Sequence, residues 1–271
     1  MTAIMKKIIL GTLLALWLAP LATAQQSQPT SQPAEASAAK ALLPQINCPV
    51  SGETLENKEH FLEYQGHRIY TCCDKCKVKV AGFPDYWLYR MYVDGFAAES
   101  VQATCPVSGE ALDAEAKSVQ VGPLTVKTCC AKCVKKVQAE PAKYMDILQG
   151  RKAQEVCPVS GKKIEGEDSF VFQGARIRAC CPNCEAKFTA EPEKYLKAML
   201  ERNEIVEQDS AFCLVHPQEK LKDRTWFTTA GPMRYYFGGK DCMTEFFREP
   251  VKFIPAMRSV LPVKKQEKAG A

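Results

Sequence analysis

Residues 71–76 read Thr-Cys-Cys-Asp-Lys-Cys, and this TCCDKC stretch lies where a strand pattern gives way to a helix pattern. Upstream, Phe61-Leu62-Glu63-Tyr64, a Gln65-Gly66 turn and Arg68-Ile69-Tyr70 predict a β-hairpin. Downstream, Cys76, Val80 and Phe83 recur about once per turn and predict a helix. The cluster therefore sits at the end of a hairpin and the start of a helix. It returns as TCCAKC at 128–133 and as ACCPNC at 179–184.

Each cluster has a partner upstream. CPVSG occurs at 48–52, 105–109 and 157–161, with starts 57 and 52 residues apart. A fixed order recurring at such a period marks an internal repeat. In copy three the hairpin is Phe170-Val171-Phe172, Gln173-Gly174, Arg176-Ile177-Arg178; Gly122-Pro123 supplies the turn in copy two and Gly231-Pro232 in a fourth copy. Pro141 and Pro192, in AEPAKY and AEPEKY, suit the first position of a second helix, which in copy three is predicted to continue to about Glu207. The fourth, degenerate copy begins at Cys213, 56 residues after Cys157. Aligning YYFGGKDC with IYTCCDKC puts Cys242 on Cys76 and Gly238-Gly239 on the cysteine pair, and His216 then falls on Ser51.

A unit of about 45 residues buries little core and usually needs disulfides or a structural metal. The spacing indicates which groups are candidates. From the turn cysteine to the first of the pair is 24, 24 and 23 residues in copies one to three. A turn lends one thiolate; the last strand and first helical turn lend the others. Thiolates at a helix N-terminus are favoured by the local dipole, and soft thiolates suit Cu(I) and Zn(II). The expected fold is small α+β, built of tandem treble-clef-like or zinc-ribbon-like units. The candidate ligands are Cys48, Cys72, Cys73 and Cys76; Cys105, Cys129, Cys130 and Cys133; and Cys157, Cys180, Cys181 and Cys184. Cys73, Cys130 and Cys181 are each either a fourth ligand or a redox partner. In copy four, Cys213, His216 and Cys242 offer either a three-ligand site or a Cys213 to Cys242 disulfide. CPVSG is then not a broken zinc knuckle, because the rest of its site arrives some 24 residues later.

The repeats resemble the TRASH/YHS family of small metal-binding domains, with three full copies and one degenerate copy. That pattern has a Cys-Pro-x-x-Gly turn, a hairpin ending in Tyr/Phe-x-Cys, then Cys-x3-Cys and a P.KY tail. Cys48, Cys72 and Cys76 match it in copy one, with Cys105, Cys129, Cys133 and Cys157, Cys180, Cys184 in the next two. Cys73, Cys130 and Cys181 are additional to the commonest pattern. The resemblance spans nearly all of 48–257 and implies a treble-clef-like fold that binds a transition metal. The family occurs in metal sensors and copper transport systems, often as an accessory module.

The N-terminus bears on the setting. Residues 1–7 are basic, 8–21 are apolar, and Ala22-Thr23-Ala24 fits a cleavage site, so 1–24 reads as a secretory signal peptide. The apolar run is short for a membrane anchor and Pro20 ends it. Residues 25–45, rich in Gln, Ser, Pro and Ala, read as a disordered linker. The remaining divisions are repeat 1 at 46–98, repeat 2 at 103–150, repeat 3 at 155–209, degenerate repeat 4 at 210–260 and a basic tail at 261–271. The short connections at 95–104 and 150–156 favour packing of the copies over beads on a string.

Losing Lys6 and Lys7 with the leader lowers the formal charge of +5 by two, which is too little to argue for nucleic acid. The expectation is an exported, periplasmic or secreted protein with no stable membrane span after cleavage. It would bind about one Cu(I) or Zn(II) ion per complete repeat, for sequestration, transfer or metal homeostasis. Its partners would be metal ions and a metal transporter or another envelope protein. An oxidising compartment also permits a disulfide-stabilised interaction module. Cys73-x-x-Cys76 has thioredoxin-like spacing, but the βαβ context is missing, so no enzyme is expected. His60 and His67 are candidate ligands or exposed strand residues. Met91, Met199 and Met243 are candidate Cu(I) donors or core, and the aromatic run at 85–92 is core or a contact surface.

Overall fold

The computed structural model describes residues 42–255. The expected leader, the linker up to residue 41 and the basic tail lie outside the described residues.

Repeat 1 contains β1 (Leu43–Pro44), β2 (Phe61–Tyr64), β3 (His67–Tyr70), α1 (Asp74–Gly82), α2 (Pro84–Val93), β4 (Phe96–Ala97) and β5 (Glu99–Ser100). Repeat 2 has β6 (Lys117–Val121), β7 (Leu124–Thr128), α3 (Ala131–Ala139), α4 (Pro141–Gln149) and then β8 (Lys152–Ala153). Repeat 3 has β9 (Ser169–Phe172), β10 (Ala175–Arg178), α5 (Cys184–Ala190), α6 (Pro192–Glu201) and β11 (Glu204–Glu207). Repeat 4 has β12 (Phe227–Ala230), β13 (Met233–Tyr236), α7 (Lys240–Arg248) and α8 (Pro250–Phe253). The result is a mixed α/β body of short sheets and short helices. No helix among the described residues is long and apolar enough to cross a membrane.

Every copy is built the same way. A turn carrying the first cysteine is closed by a single bridge: Asn47 to Thr54, Thr104 to Ala111, Val156 to Lys163 and Phe212 to Lys220. An antiparallel hairpin follows, and its turn chemistry matches its twist. Gln65 and Gly66 both take positive φ, 51° and 73°, as a two-residue hairpin turn of that hand requires. A helix pair comes next, and a proline opens its second helix in all four copies.

The core repeats too. The residue four positions after the last cysteine is Val80, Val137, Phe188 and Phe246, and each is fully buried. It lies one helical turn after the cysteine; the residue three positions before the cysteine pair is Ile69, Val126 or Ile177, with Tyr235 in copy four. Those four are fully buried as well. Repeat 4 has the largest side chain at the strand position, and it shares phenylalanine with repeat 3 at the helix position.

Repeat 4 is also the hub. Phe83 of repeat 1 packs against Phe246 and Phe247, and Tyr89 stacks on Phe247 at 4.5 Å. The Asp85 carboxylate accepts hydrogen bonds from Thr228 Oγ1 at 3.0 Å and from the Thr229 N–H. Arg234, almost wholly buried, pairs with Asp146 of repeat 2. On the repeat 3 side, β11 pairs in parallel with β13, and the Tyr235 hydroxyl donates to the Gln173 carbonyl at 2.9 Å. The copies pack into one body with a shared core.

Three local expectations need correction. The linker does not run to Gln45: Leu43 and Pro44 pair with Phe96 and Ala97, and the Gln45 side chain is buried. The copy-three helix stops at Glu201, and Glu204–Glu207 is a strand. Asn203, at φ 55°, breaks the helix, and pairing with β8 and β13 captures the residues beyond it. His67 is neither an exposed strand residue nor a ligand; it is buried, with Nδ1 2.8 Å from the Gln65 carbonyl oxygen and Nε2 3.1 Å from that of Thr125 in repeat 2. It braces the first two repeats, and burial pushes its pKa below the usual histidine value.

Candidate metal centres

The first ligand comes from a tight turn. The Cys48 N–H donates to the Glu53 carbonyl at 2.8 Å, and the Gly52 N–H donates to the Cys48 carbonyl at 2.9 Å. Gly52 needs φ of 79°, a left-handed value that L side chains rarely adopt, and this explains the glycine that closes each CPVSG. The same two bonds recur at Cys105 with Glu110 and Gly109, and at Cys157 with Lys162 and Gly161. The second ligand stands just past the hairpin. The last one lies in the first turn of α1 and α3 and opens α5.

The structure brings Cys48, Cys72 and Cys76 together, with all sulfurs within 4.8 Å of one another, and likewise Cys105, Cys129, Cys133 and Cys157, Cys180, Cys184. A fourth group within the same limit is Cys213, His216 and Cys242. Four Cys/His groups are thus placed to hold a metal ion. The donor spacing fits. Two thiolates about 2.3 Å from a common tetrahedral ion lie roughly 3.8 Å apart. Cys72 and Cys76 are 3.7 Å apart, Cys129 and Cys133 3.7 Å, Cys180 and Cys184 3.6 Å, and Cys157 and Cys184 3.6 Å. No disulfide joins any of the 14 cysteines in this structure.

Cys73, Cys130 and Cys181 fall outside these groups yet touch them. Cys130 is 3.6 Å from Cys133, Cys181 is 3.4 Å from Cys184, and Cys73 is 3.9 Å from Cys72. They are half-buried, like the first cysteine of each pair. His60 and the candidate methionines are elsewhere. His60 sits 2.9 Å from Asp74, and Met91, Met199 and Met243 are in the core.

The serine of CPVSG takes part without being a ligand. Ser51 Oγ lies 3.4 Å from Cys72 Sγ, Ser108 3.4 Å from Cys129, and Ser160 3.2 Å from Cys180. A hydroxyl beside a thiolate can only donate. Burial works against ionising the first cysteine of each copy, but the serine hydroxyl and backbone N–H groups outweigh it. They bring Cys48 down to about 7 and Cys105 and Cys157 down to about 6. The last cysteine goes the other way. Burial, reinforced by neighbouring sulfurs, pushes Cys133 and Cys184 up to about 12 and raises Cys76 as well. Sulfurs this close cannot all ionise unless a cation supplies the missing positive charge, and a bound metal does so by displacing protons.

A glutamine not anticipated from the sequence holds each centre together. Gln154 Nε2 donates to the Arg178 carbonyl at 2.8 Å and to the Val156 carbonyl at 3.1 Å, while its Oε1 accepts from the Arg178 N–H at 2.8 Å. Gln45 does the same for Tyr70 and Asn47, and Gln102 for Lys127 and Thr104. One amide thus ties the cysteine turn to the strand that delivers the cysteine pair. The available signal was a glutamine three residues before the first cysteine in all three complete copies. Gln154→Ala leaves the part-buried Arg178 N–H and carbonyl without these partners, so it is expected to cost about 1–3 kcal/mol of stability and to weaken metal binding in repeat 3 alone. Urea unfolding and a metal titration check both; a change below about 0.5 kcal/mol would be that of an ordinary surface site.

No family model matches the sequence, and no curated protein or solved structure matches it either.

Proposed function

We propose that this chain is an exported, non-enzymatic protein that binds thiophilic transition metal through cysteine thiolates, at about one ion per complete repeat. The ion is Cu(I), Zn(II) or another soft heavy metal, and the roles that fit are sequestration, transfer and metal homeostasis. One observation carries the reading. The same three-thiolate arrangement, at the sulfur spacing a tetrahedral ion requires, is rebuilt three times from different residues. A single such cluster has many explanations, whereas three with the same serine donor and glutamine tie indicate a retained use. The resemblance to TRASH/YHS domains supports the same reading. The basic and apolar character of residues 1–21 supports export, with a periplasmic or secreted location and an envelope metal transporter as the natural partner.

Native mass spectrometry with thiol counting, on protein purified from the periplasm, tests this proposal. The expected result is about three metals on the complete repeats and mostly free thiols after chelation. Protein with no metal and no free thiols would favour a disulfide-stabilised module and would overturn the proposal.

A further inference from the structure

The fourth copy departs from the others at two places, and the structure makes them one change. Its turn is closed as before, with the Cys213 N–H donating to the Glu219 carbonyl at 2.8 Å, but the loop is one residue longer. That loop brings His216 to the serine position, with Nδ1 3.4 Å from Cys242 Sγ. Gly238 stands where the other copies have the first cysteine of the pair. A Cβ built on Gly238 would lie 2.6 Å from Glu219 Oε1 and 3.1 Å from Oε2, so a side chain there would require the Glu219 carboxylate to swing away. The Glu219 carboxylate therefore fills the space that the side chains of Cys72, Cys129 and Cys180 occupy. The lost thiol leaves room for an oxygen donor.

The histidine is held from behind as well. Its Nε2 is 3.6 Å from Glu245 Oε2, and Glu245 in turn lies 3.9 Å from Lys252 Nζ. Glu219 Oε2 is 3.8 Å from the opposite ring nitrogen, Nδ1. An imidazole facing a ligand cluster with one nitrogen and a carboxylate with the other is the usual surrounding of a metal-bound histidine.

We propose that Cys213, His216, Glu219 and Cys242 form a fourth centre of a different chemical class, which takes a borderline divalent cation such as Zn(II) in preference to Cu(I). Three soft thiolates favour Cu(I); two thiolates joined by an imidazole and a carboxylate favour Zn(II). One chain then carries three exchangeable soft-metal centres and one divalent centre in the repeat that packs against all the others. This rests on the reading that the complete repeats bind metal.

The test uses the full chain, stripped with a chelator, loaded with Zn(II), then titrated with Cu(I) under reducing, oxygen-free conditions and counted by native mass spectrometry. Cu(I) is expected to displace zinc from the three complete repeats while one zinc stays. His216→Ser should abolish that retained zinc and leave the other three sites unchanged. Glu219→Gln, nearly isosteric at a half-exposed position, should weaken it at least about 10-fold, and Glu245→Gln by about 10–100-fold. Loss of all four zincs in one step would overturn the proposal, as would unchanged retention in Glu219→Gln. A chain with three metals and no fourth overturns this proposal alone. A chain with no metal anywhere overturns the functional reading along with it.

Discussion

Phe246→Ala lowers the stability of the whole body by about 3–5 kcal/mol, the range for removing a fully buried aromatic ring. The side chain is fully buried. Its ring lies 5.2 Å from Phe237, 5.1 Å from Phe247, 6.0 Å from Phe253 and 6.3 Å from Phe83 of repeat 1. The surrounding rings are rigid and cannot collapse into the hole, which places the loss toward the upper part of the range. Domains of this kind hold only about 5–15 kcal/mol in all. Urea unfolding followed by tryptophan fluorescence measures the loss, and Val78→Ala, on an exposed face, serves as a control expected to stay within about 0.5 kcal/mol. A loss under 1 kcal/mol would mean that this ring is not packed in the core as described.

The expected size of that effect follows from how the copies divide two sources of stability. Repeats 1 to 3 have Ile69, Val126 and Ile177 in the strand and Val80, Val137 and Phe188 in the helix, beside clusters of four cysteines. Repeat 4 has Tyr235 and Phe246 at these positions and only two cysteines. It has fewer thiols and a larger side chain at the strand position.

Much of this was legible beforehand, for a physical reason. Hairpins and helices are local, and their signals are local too: Gln65-Gly66 for the turn, Pro141 and Pro192 for the second helix, a one-turn spacing for Cys76 and Val80. The sulfur clusters were legible because the repeat places the same spacing in the chain three times. The two-residue strands were not. Leu43–Pro44, Phe96–Ala97 and Lys152–Ala153 are two residues each, too short to carry any alternation. Their pairing depends on tertiary placement, which also overrides propensity at Glu204–Glu207. His67 was misjudged because its partner, the Thr125 carbonyl, lies 58 residues away. Glu219 was missed because its role depends on the absence of a side chain at Gly238.

Cys133→Ser separates ligand from neighbour at the complete sites. Cys133 is buried at the helix start and is within reach of Cys129 at 3.7 Å and Cys130 at 3.6 Å. Exchanging its sulfur for a hydroxyl removes a soft anionic donor and puts in its place a hard neutral one. Metal affinity at repeat 2 should fall by more than the roughly 10–100-fold typical of losing an outer-shell partner, so the metal count should drop by one. Repeats 1 and 3 should stay loaded, because no residue of their clusters is shared. Cys130→Ser provides the comparison. Cys130 touches Cys133 but lies outside the three-thiolate group, so its replacement should leave the count unchanged and mainly alter how readily Cys133 oxidises. Equal loss in the two variants, read by competition against a chromophoric chelator, would make Cys130 a fourth ligand and the centre an all-cysteine tetrahedral site. Loss of metal from every repeat in either variant would instead show the three centres acting as one, against the separate donor sets seen around Cys76, Cys133 and Cys184.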